Sequence, residues 1–362
     1  MAKIDLLFDD LVKRGGSDLH LGVGHPPLAR VRGDLVALRD GTLDAKDLED
    51  VLTEILTPAQ RASLDVSLDL DFAHAHRDVA RFRASYFIKS GGLGAVFRLV
   101  PSRVLTLAEL GCPEVLWKLA DRRSGLVLVT GPSSCGKSTT VAAMLDHINK
   151  TRACHILTIE DPIEFVHEPL RAHITQREVR SHVPCAVAAL RNAARENPDV
   201  IFASELRTND ALELALDLAT RGILVVVTMR TNGAVATIDR IVGAFPPEEQ
   251  AHVRSLLADT LAGVVSQQLV RTTDGKGGIP VHEVFVATAP GAQLVRENKT
   301  GQLLSVMQAG QSQGMQTMDM ALERLLTQSR ITAELALDRA VDKESFARVV
   351  ARVRPDLAES LG

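Results

Sequence analysis

The stretch Gly131-Pro-Ser-Ser-Cys-Gly-Lys-Ser138 decides the fold of this chain, because it fits the phosphate-binding pattern G-x-x-x-x-G-K-[ST]. Residues 126–130, Leu-Val-Leu-Val-Thr, are typical of a buried strand, and residues 139–148 are typical of a helix. A strand, this loop and a helix form the context in which the pattern binds phosphate. The sequence therefore predicts a P-loop nucleotide-binding domain.

The loop supplies a group for each part of a bound triphosphate. Backbone N–H groups of the loop and of the following helix point at an anion, and Gly131 and Gly136 let the backbone turn closely around it. We expect Lys137 to reach the β- and γ-phosphates and the Ser138 hydroxyl to ligate Mg²⁺. The predicted nucleotide-binding residues of the motif are Gly131, Pro132, Ser133, Ser134, Cys135, Gly136, Lys137, Ser138 and Thr139.

Length and composition are those of an ordinary globular protein. The chain has 362 residues, enough for two or three domains, and 46% of them are hydrophobic. The net charge of −4 gives no general support for a nucleic-acid-binding surface. No apolar run approaches the roughly 20 residues of a membrane span, and the first residues show no signal-peptide pattern. The four cysteines have no C-x-x-C spacing, so we expect a reduced cytoplasmic protein without a zinc module.

Residues 1–100 have the mixed pattern of a small α+β domain, and Pro101-Ser102 begins a predicted linker over residues 101–112. Turn residues and capping residues separate the predicted elements. These elements are a helix over 4–14, a strand over 17–21, a hairpin at Gly33-Asp34, helices beginning after Asp44 and at Thr57-Pro58, and strands within 66–100.

From about residue 113 the pattern changes to alternating strands and helices, which predicts a parallel sheet covered on both faces. Continuously apolar strands are expected at 155–159, 198–203 and 223–228, and each ends in polar residues. Ligands bind at the carboxyl ends of such strands, so these polar residues should lie near the P-loop. The other predicted elements are helices at 184–195, 209–220 and 246–268, a hairpin turn at 274–278, a strand at 281–286, and helices thereafter.

Nucleotide hydrolysis needs carboxylates for Mg²⁺ and for water, and a cation for the charge of the transition state. Glu205 follows an apolar strand, where a catalytic carboxylate belongs, although an ordinary charge at a strand end is the alternative. Glu160, Asp161 and Glu164 end the preceding strand and are candidates to hold Mg²⁺ through water. The alternative for these three acids is helix capping.

Polar residues of the N-terminal region have a less specific pattern. Arg81, Arg83 and Arg98 lie on strand-like segments and, taken alone, are typical of a solvated strand face. His74 and His76 lie on one face of a strand. Because no carboxylate or cysteine partner is evident, we interpret the two histidines as solvent-facing rather than as metal ligands.

Cys135 lies inside the P-loop, next to a helix N-terminus and to Lys137. Both features favour the thiolate form of a cysteine. We therefore expect this thiol to react readily in the nucleotide-free protein and to be shielded by MgATP. The alternative is that it only substitutes for a serine.

Short motifs occur in a characteristic order along nearly the whole chain. They are Ser17-Asp-Leu-His-Leu21, Arg81-Phe-Arg83, residues 94–99, 156–167, 176–179 and 237–241, Phe245-Pro246, residues 294–297 and 314–319. Together with the P-loop they resemble the PilT-type pilus retraction (twitching-motility) ATPases of the secretion-ATPase superfamily. The resemblance implies an α/β fold, in which a PAS-like α+β N-terminal domain of residues 1–100 precedes a RecA-like P-loop ATPase domain of residues 113–362 with a helical C-terminal part.

The resemblance also implies a function. It indicates a hexameric motor that hydrolyses ATP with Mg²⁺ and drives type IV pilus retraction from the cytoplasm, as a peripheral protein at the inner-membrane base of the pilus machine. The implied partners are identical subunits in a homohexamer, an inner-membrane platform protein and a paralogous retraction ATPase. The acidic charge balance argues against nucleic acid as a partner. In such rings the N-terminal domain packs on the neighbouring ATPase domain, which makes Arg81, Arg83 and Arg98 candidate cations at a neighbour's phosphates.

The active-site segments depart from the family pattern. The family P-loop G-P-T-G-S-G-K-S is here Gly131-Pro-Ser-Ser-Cys-Gly-Lys-Ser138, and the family G-E-M-R-D is here Ser204-Glu-Leu-Arg-Thr208. The family histidine box T-G-H-L-V-F-G-T-L-H-T has Ile223 and Arg230 in place of its two histidines. Arg230 either grips the γ-phosphate or Glu205, or points away into an interface.

The central catalytic groups nevertheless remain. Lys137, Ser138, Glu160 and Glu205 are all present, so we predict intact nucleotide binding, with Glu205, Glu160 and Arg230 as the catalytic residues. The alternative function is a nucleotide-binding regulatory paralogue that hydrolyses weakly and modulates an active pilus motor.

Overall fold

The computed structural model describes residues 3–31, 33–77, 79–100, 103–275 and 277–354. It divides into two compact units, Met1–Arg103 with Asp161–Val166, and Val104–Glu160 with His167–Gly362. The predicted linker begins at Pro101 and Ser102, which lie outside the described residues. None of the helices in the described ranges is both long enough and apolar enough to cross a bilayer.

The N-terminal unit is an α+β sandwich of helices on an antiparallel sheet with the strand order β3-β2-β1-β6-β5-β4. Its helices and strands among the described residues are α1 (Asp5–Lys13), β1 (Gly16–Gly22), β2 (Leu28–Val31), β3 (Asp34–Ala37), α2 (Ala45–Thr53), α3 (Pro58–Ser67), β4 (Asp69–His76), β5 (Ala80–Lys89) and β6 (Gly92–Val100). Helix α1 turns Phe8 inward, where its ring stacks on Phe82 with centroids 4.2 Å apart and meets Phe97 edge-on. This aromatic cluster lies at the centre of the core of the unit.

Local capping chemistry sets where the helices of this unit begin. The Asp44 carboxylate accepts the N–H of Asp47 at 2.7 Å and caps α2. Thr57 and Gln60 form a reciprocal capping box at the start of α3, and Pro58 occupies its first turn. Both helix starts confirm the predictions from the sequence.

The solvent-facing interpretation of His76 is wrong. Its side chain is 1% exposed, and its two ring nitrogens lie 3.2 Å from Asp5 Oδ1 and 2.9 Å from Asp9 Oδ1. Both carboxylates come from α1, far away in sequence, so the strand pattern alone gave no sign of them. The hydrogen bond from His76 lowers the pKa of Asp9. Among the described residues, no group of three or more histidine, cysteine, aspartate or glutamate side chains could hold a metal ion.

The C-terminal unit is an α/β domain built on a mixed sheet with the strand order β13-β12-β7-β11-β10-β8-β9. Its described strands are β7 (Gly125–Thr130), β8 (His155–Glu160), β9 (His173–Glu178), β10 (Val200–Ala203), β11 (Leu224–Met229), β12 (Leu261–Arg271) and β13 (Gly278–Val286). Its described helices are α4 (Val115–Ala120), α5 (Lys137–Thr151), α6 (Ala186–Ala193), α7 (Asn209–Thr220), α8 (Ala234–Val242), α9 (Gln250–Thr260), α10 (Ala289–Arg296), α11 (Leu303–Ala309), α12 (Met318–Thr327), α13 (Ala333–Arg339) and α14 (Lys343–Val353). All neighbouring strands run parallel except β12 and β13, which form the predicted hairpin.

The single long helix predicted over 246–268 is wrong. Helix α9 ends at Thr260, and β12 begins at the next residue between β7 and β13. At Gly263 the backbone of β13 comes so close that a Cβ atom would lie 2.8 Å from the Phe285 carbonyl oxygen. The spacing of Val253, Leu257, Leu261 and Val264 imitates a helical period, but pairing on both sides makes the second half of the segment a central strand.

Two consecutive residues of β13, His282 and Glu283, are ionisable and buried. His282 is 2% exposed, and burial, helped by the positive charge of Arg324, lowers its pKa to about 4. Burial raises the pKa of Glu283, although the backbone N–H groups of Ala234 and Met318 donate to its two carboxylate oxygens at 2.7 and 3.4 Å. These N–H groups open helices α8 and α12, so one carboxylate caps both helices.

Lowering the pH from about 6.5 towards 4 should destabilise the protein through His282. In this window the unfolded chain takes up a proton on the imidazole, whereas the folded chain, with the His282 pKa at about 4, does not. The free energy of unfolding should therefore fall by up to about 1.4 kcal/mol per pH unit, or about 3 kcal/mol in all.

Thermal melts of the parent and of His282→Gln across this pH range measure the effect. Glu283 titrates in both proteins, so its opposite contribution cancels in the difference. The parent should lose stability more steeply than the variant, and equal slopes would show that His282 is not the responsible group.

Candidate active site

The parallel strands bring the predicted site residues of the C-terminal unit to one edge of the sheet. The register aligns the ends of four adjacent strands, since Thr130 lies opposite Met229, and Ala203 lies opposite both Val227 and Ile159. In spatial order, β7 leads into the P-loop, β11 into Arg230 and β10 into Ser204 and Glu205, and β8 ends at Glu160.

The P-loop is curled by backbone conformations with positive φ. The φ angles are 143° at Gly131, 62° at Ser134 and 93° at Gly136. Gly136 is the N-cap of α5, and a glycine has no side chain with which to cap a helix. The start of α5 therefore has no side-chain cap, as is typical where the backbone N–H groups of a first turn receive an anion.

Lys137 folds back over the loop. Its ammonium group donates to the carbonyl oxygens of Gly131 at 2.9 Å and of Pro132 at 2.7 Å. A phosphate oxygen carries more negative charge than a carbonyl oxygen and is a stronger partner for an ammonium group. The lysine is thus held at the mouth of the loop by contacts that a phosphate can displace.

Glu205 lies just beyond β10 with a left-handed backbone, at φ 25°. Its N–H donates to the Thr228 hydroxyl on the neighbouring strand at 3.0 Å, which fixes the residue against β11. The side chain is 28% exposed, so the carboxylate is accessible to solvent at this edge of the sheet.

Arg230 grips the Glu205 carboxylate. Its Nε lies 2.5 Å from Oε1, its Nη2 lies 2.8 Å from Oε2, and Arg207 Nη2 lies 3.2 Å from Oε2. This two-point ion pair with Glu205, or fork, is one of the arrangements that the sequence left open. The alternative, in which Arg230 points away into an interface, is not observed. The Arg230 side chain is 54% exposed, so solvent screens this ion pair.

The candidate magnesium ligands separate into two groups. Glu160 is buried, and its Oε1 accepts hydrogen bonds from the Thr158 hydroxyl at 2.7 Å and from Gln176 Nε2 at 3.1 Å. Ser138 lies in the first turn of α5, in the same unit, whereas Asp161 belongs to the segment assigned to the N-terminal unit. An oxygen-only set with one hydroxyl and one carboxylate suits Mg²⁺, which keeps several waters and binds substrate phosphates.

The three arginines of the N-terminal unit have different surroundings. Arg81 is half-buried, and its Nε has no hydrogen-bond partner among the described residues. Arg83 Nη1 lies 3.8 Å from Glu164 Oε1, which places this acid beside a cation. Arg98 Nε donates to Asp18 Oδ1 at 2.8 Å, so its guanidinium is held within its own unit.

The expectation of a reactive Cys135 is wrong. The side chain is 3% exposed, and burial raises the pKa of its thiol more than the charge of Lys137 lowers it. Its carbonyl accepts a hydrogen bond from Gln267 Nε2, on β12. Sequence reasoning missed Gln267 because it assigned residue 267 to a helix rather than to a strand beside the P-loop.

Comparison with known proteins gives consistent matches over most of the chain. Residues 65–348 match the family described as Type II/IV secretion system protein. The type IV pilus retraction ATPase PilT of Pseudomonas aeruginosa is 45% identical over 334 residues, which cover 92% of this chain and 97% of that protein. A twitching motility protein of Neisseria gonorrhoeae is 44% identical over 321 residues, which cover 89% of this chain and 86% of that protein.

The solved structures include a close match as well. The crystal structure of the pilus retraction motor PilT with bound ADP superposes with a TM-score of 0.88 at 38% sequence identity. The match covers 96% of this chain and 100% of that chain.

Cys135 should alkylate slowly in the native, nucleotide-free protein. Burial shields the thiol and raises its pKa, so the thiolate fraction at neutral pH is small. The exposed Cys185 is the internal reference. Peptide mapping by mass spectrometry after timed N-ethylmaleimide treatment should show labelling of Cys135 at least about tenfold slower than that of Cys185. Equal rates in the folded protein would contradict the burial seen here.

Proposed function

The chain belongs to the PilT-type retraction ATPases of the Type II/IV secretion system protein family, and on this premise we propose that it is an ATP-hydrolysing hexameric motor that drives type IV pilus retraction. The observation that carries the proposal is the alignment of a P-loop and the Glu205 carboxylate at one edge of a parallel sheet. Such an edge provides phosphate binding and water activation in one place.

Nucleotide binding begins at the loop. The γ- and β-phosphates draw the Lys137 ammonium away from the carbonyl oxygens of Gly131 and Pro132, and the N–H groups at the start of α5 face the phosphate oxygens. Ser138 would hold Mg²⁺ directly, and Glu160 through water. When bound, this ion offsets the negative charge of the phosphate oxygens.

Hydrolysis requires an acceptor for the proton of the attacking water. We assign this role to Glu205, which follows β10, but Arg230 and Arg207 occupy both of its carboxylate oxygens. A water molecule needs one of the remaining lone pairs, or a partial release of the fork, before the carboxylate can orient it. The strength of the Arg230–Glu205 ion pair therefore sets how readily the carboxylate can bind the attacking water.

The ring supplies the remaining parts of the motor. In a homohexamer, Arg81 and Arg83 of one subunit act as cations at the phosphates bound by its neighbour, and Arg98 joins them if it leaves Asp18. The motor works in the cytoplasm at the inner-membrane base of the pilus machine, where deformation of the ring acts on a platform protein. A paralogous retraction ATPase is a further candidate partner.

A weakly hydrolysing regulatory paralogue is the less favoured function. Identity of 45% to a retraction ATPase extends over 92% of the chain. Lys137, Glu160 and Glu205 are present, and the described structure places all three in the C-terminal unit. Arg230, which stands in place of a family histidine, pairs with Glu205 and makes none of the hydrogen bonds described for the P-loop.

Two substitutions separate nucleotide binding from nucleotide cleavage. Lys137→Ala removes the ammonium of the P-loop and should weaken ATP binding by roughly 10- to 100-fold. Glu205→Gln should bind ATP normally but lower the turnover by about 10²- to 10⁴-fold, because the amide keeps the shape without the base.

Steady-state ATPase activity and nucleotide titration on size-resolved oligomers measure both effects. The oligomer fraction of each variant serves as the control for assembly. Unchanged turnover in Glu205→Gln would move the catalytic carboxylate to Glu160, and a hexamer fraction of the parent without ATPase activity would contradict the motor function.

Arg230→His should raise the turnover. The substitution removes the two-point fork on Glu205, and because an exposed ion pair contributes at most about 1 kcal/mol, the rise should be no more than about fivefold. Arg221→His is the matched control, since it breaks an exposed ion pair to Asp217 on helix α7. Lower turnover in Arg230→His at an unchanged oligomeric state would show that Arg230 acts as a catalytic cation.

A further inference from the structure

A buried glutamine on β12 lies against the P-loop. Strand β12 runs parallel to β7 with Ser266 opposite Thr130, so residue 267 reaches the point where the P-loop leaves the sheet. Gln267 is 1% exposed. The catalytic scheme above does not use this residue, and a fully buried amide needs partners for all of its polar atoms.

The partners of Gln267 are distributed over the loop and the start of α5. Its Nε2 donates to the Cys135 carbonyl at 2.6 Å, and its Oε1 accepts from the Thr140 hydroxyl at 2.7 Å. The loop also comes into direct steric contact with this residue. A Cβ at Gly131 would lie 2.2 Å from the Gln267 carbonyl oxygen, and one at Gly136 would lie 2.9 Å from Gln267 Nε2.

The Cys135 carbonyl sets the orientation of the amide, because it can only accept and therefore requires the Nε2 side of Gln267. The Oε1 side then lies 3.1 Å from His282 Nε2. The lowered pKa keeps this imidazole neutral at neutral pH, and the tautomer with its proton on Nε2 is the one that can donate to Oε1. Oε1 then receives two donors, from Thr140 and from His282. The reversed amide would place two oxygens against each other at Cys135.

The network continues into the C-terminal helices. The His282 carbonyl accepts from Gln316 Nε2 at 2.7 Å, and Gln316 Oε1 accepts from Arg324 Nη2 at 2.5 Å. The backbone of Gln316 also pairs with Val284 in both directions. Gln316 belongs to the segment 314–319, which is one of the motifs shared with the family. This motif therefore holds β13 in place next to Gln267 through its contacts with His282 and Val284.

We propose that Gln267 is a positioning residue that holds the P-loop in the shape that receives the nucleotide phosphates, with Thr140 and His282 fixing its side-chain amide. The inference rests on the proposed nucleotide-binding function. Gln267 itself touches the inner side of the loop, at the carbonyl oxygen of Cys135, rather than the ligand. Its effect on the nucleotide is exerted through the loop.

The test is the affinity for a fluorescent ADP analogue, measured well below the melting temperature of each protein. Gln267→Leu keeps roughly the side-chain volume but removes the hydrogen bonds to Cys135, Thr140 and His282, and it should weaken ADP binding by about tenfold or more. Gln268→Leu is the matched control on the next residue, whose Oε1 has no hydrogen-bond partner among the described residues. The control should bind ADP as the parent does.

A second pair of variants separates positioning from folding. Thr140→Val removes the hydroxyl donor to Gln267 and should weaken ADP binding by several-fold, whereas Thr140→Ser keeps the donor and should restore it. A general loss of stability would lower the melting temperature without this difference between valine and serine.

The outcomes distinguish the two proposals. If the parent itself does not bind ADP, the nucleotide-binding function fails. If the parent binds ADP but folded Gln267→Leu and Thr140→Val bind it equally well, the positioning role of Gln267 is overturned.

Discussion

The close approach of β12 to the P-loop is the constraint on which the active-site edge depends. At Gly131 a Cβ atom would lie 2.2 Å from the Gln267 carbonyl oxygen, a distance that no side chain tolerates. The path of the loop is therefore limited by the neighbouring strand before any phosphate is present. Gly131 is therefore needed for two reasons. It leaves room for the backbone of β12 on one side of the loop, and it lets the loop turn closely around a phosphate on the other.

The sequence predicted much of the fold, including the P-loop, the buried parallel strands and the helix starts at Asp44 and Thr57. These features are local, because their patterns are contained in a few neighbouring residues. The family resemblance is confirmed over most of the chain. The long helix over 246–268 failed because pairing with β7 and β13 decides the conformation of β12, and such pairing leaves no local pattern.

The candidate site shows the same division between local and distant information. The sequence placed Glu205 and Arg230 at strand ends, but only the structure shows the fork between them. Cys135 was misjudged because its immediate neighbours favour a thiolate, whereas burial of its side chain favours the thiol. His76 was misjudged for a related reason, since the two carboxylates that surround it come from α1.

The Glu283 carboxylate caps α8 and α12 together, so the two helix starts share one buried acceptor. Neither helix can move away from β13 at its first residue without leaving a backbone N–H and a buried carboxylate oxygen without each other. The start of α8 follows the strand end that carries Arg230, and the start of α12 leads into the C-terminal helices. One buried carboxylate therefore joins the helix that follows the Arg230 strand to the first of the C-terminal helices.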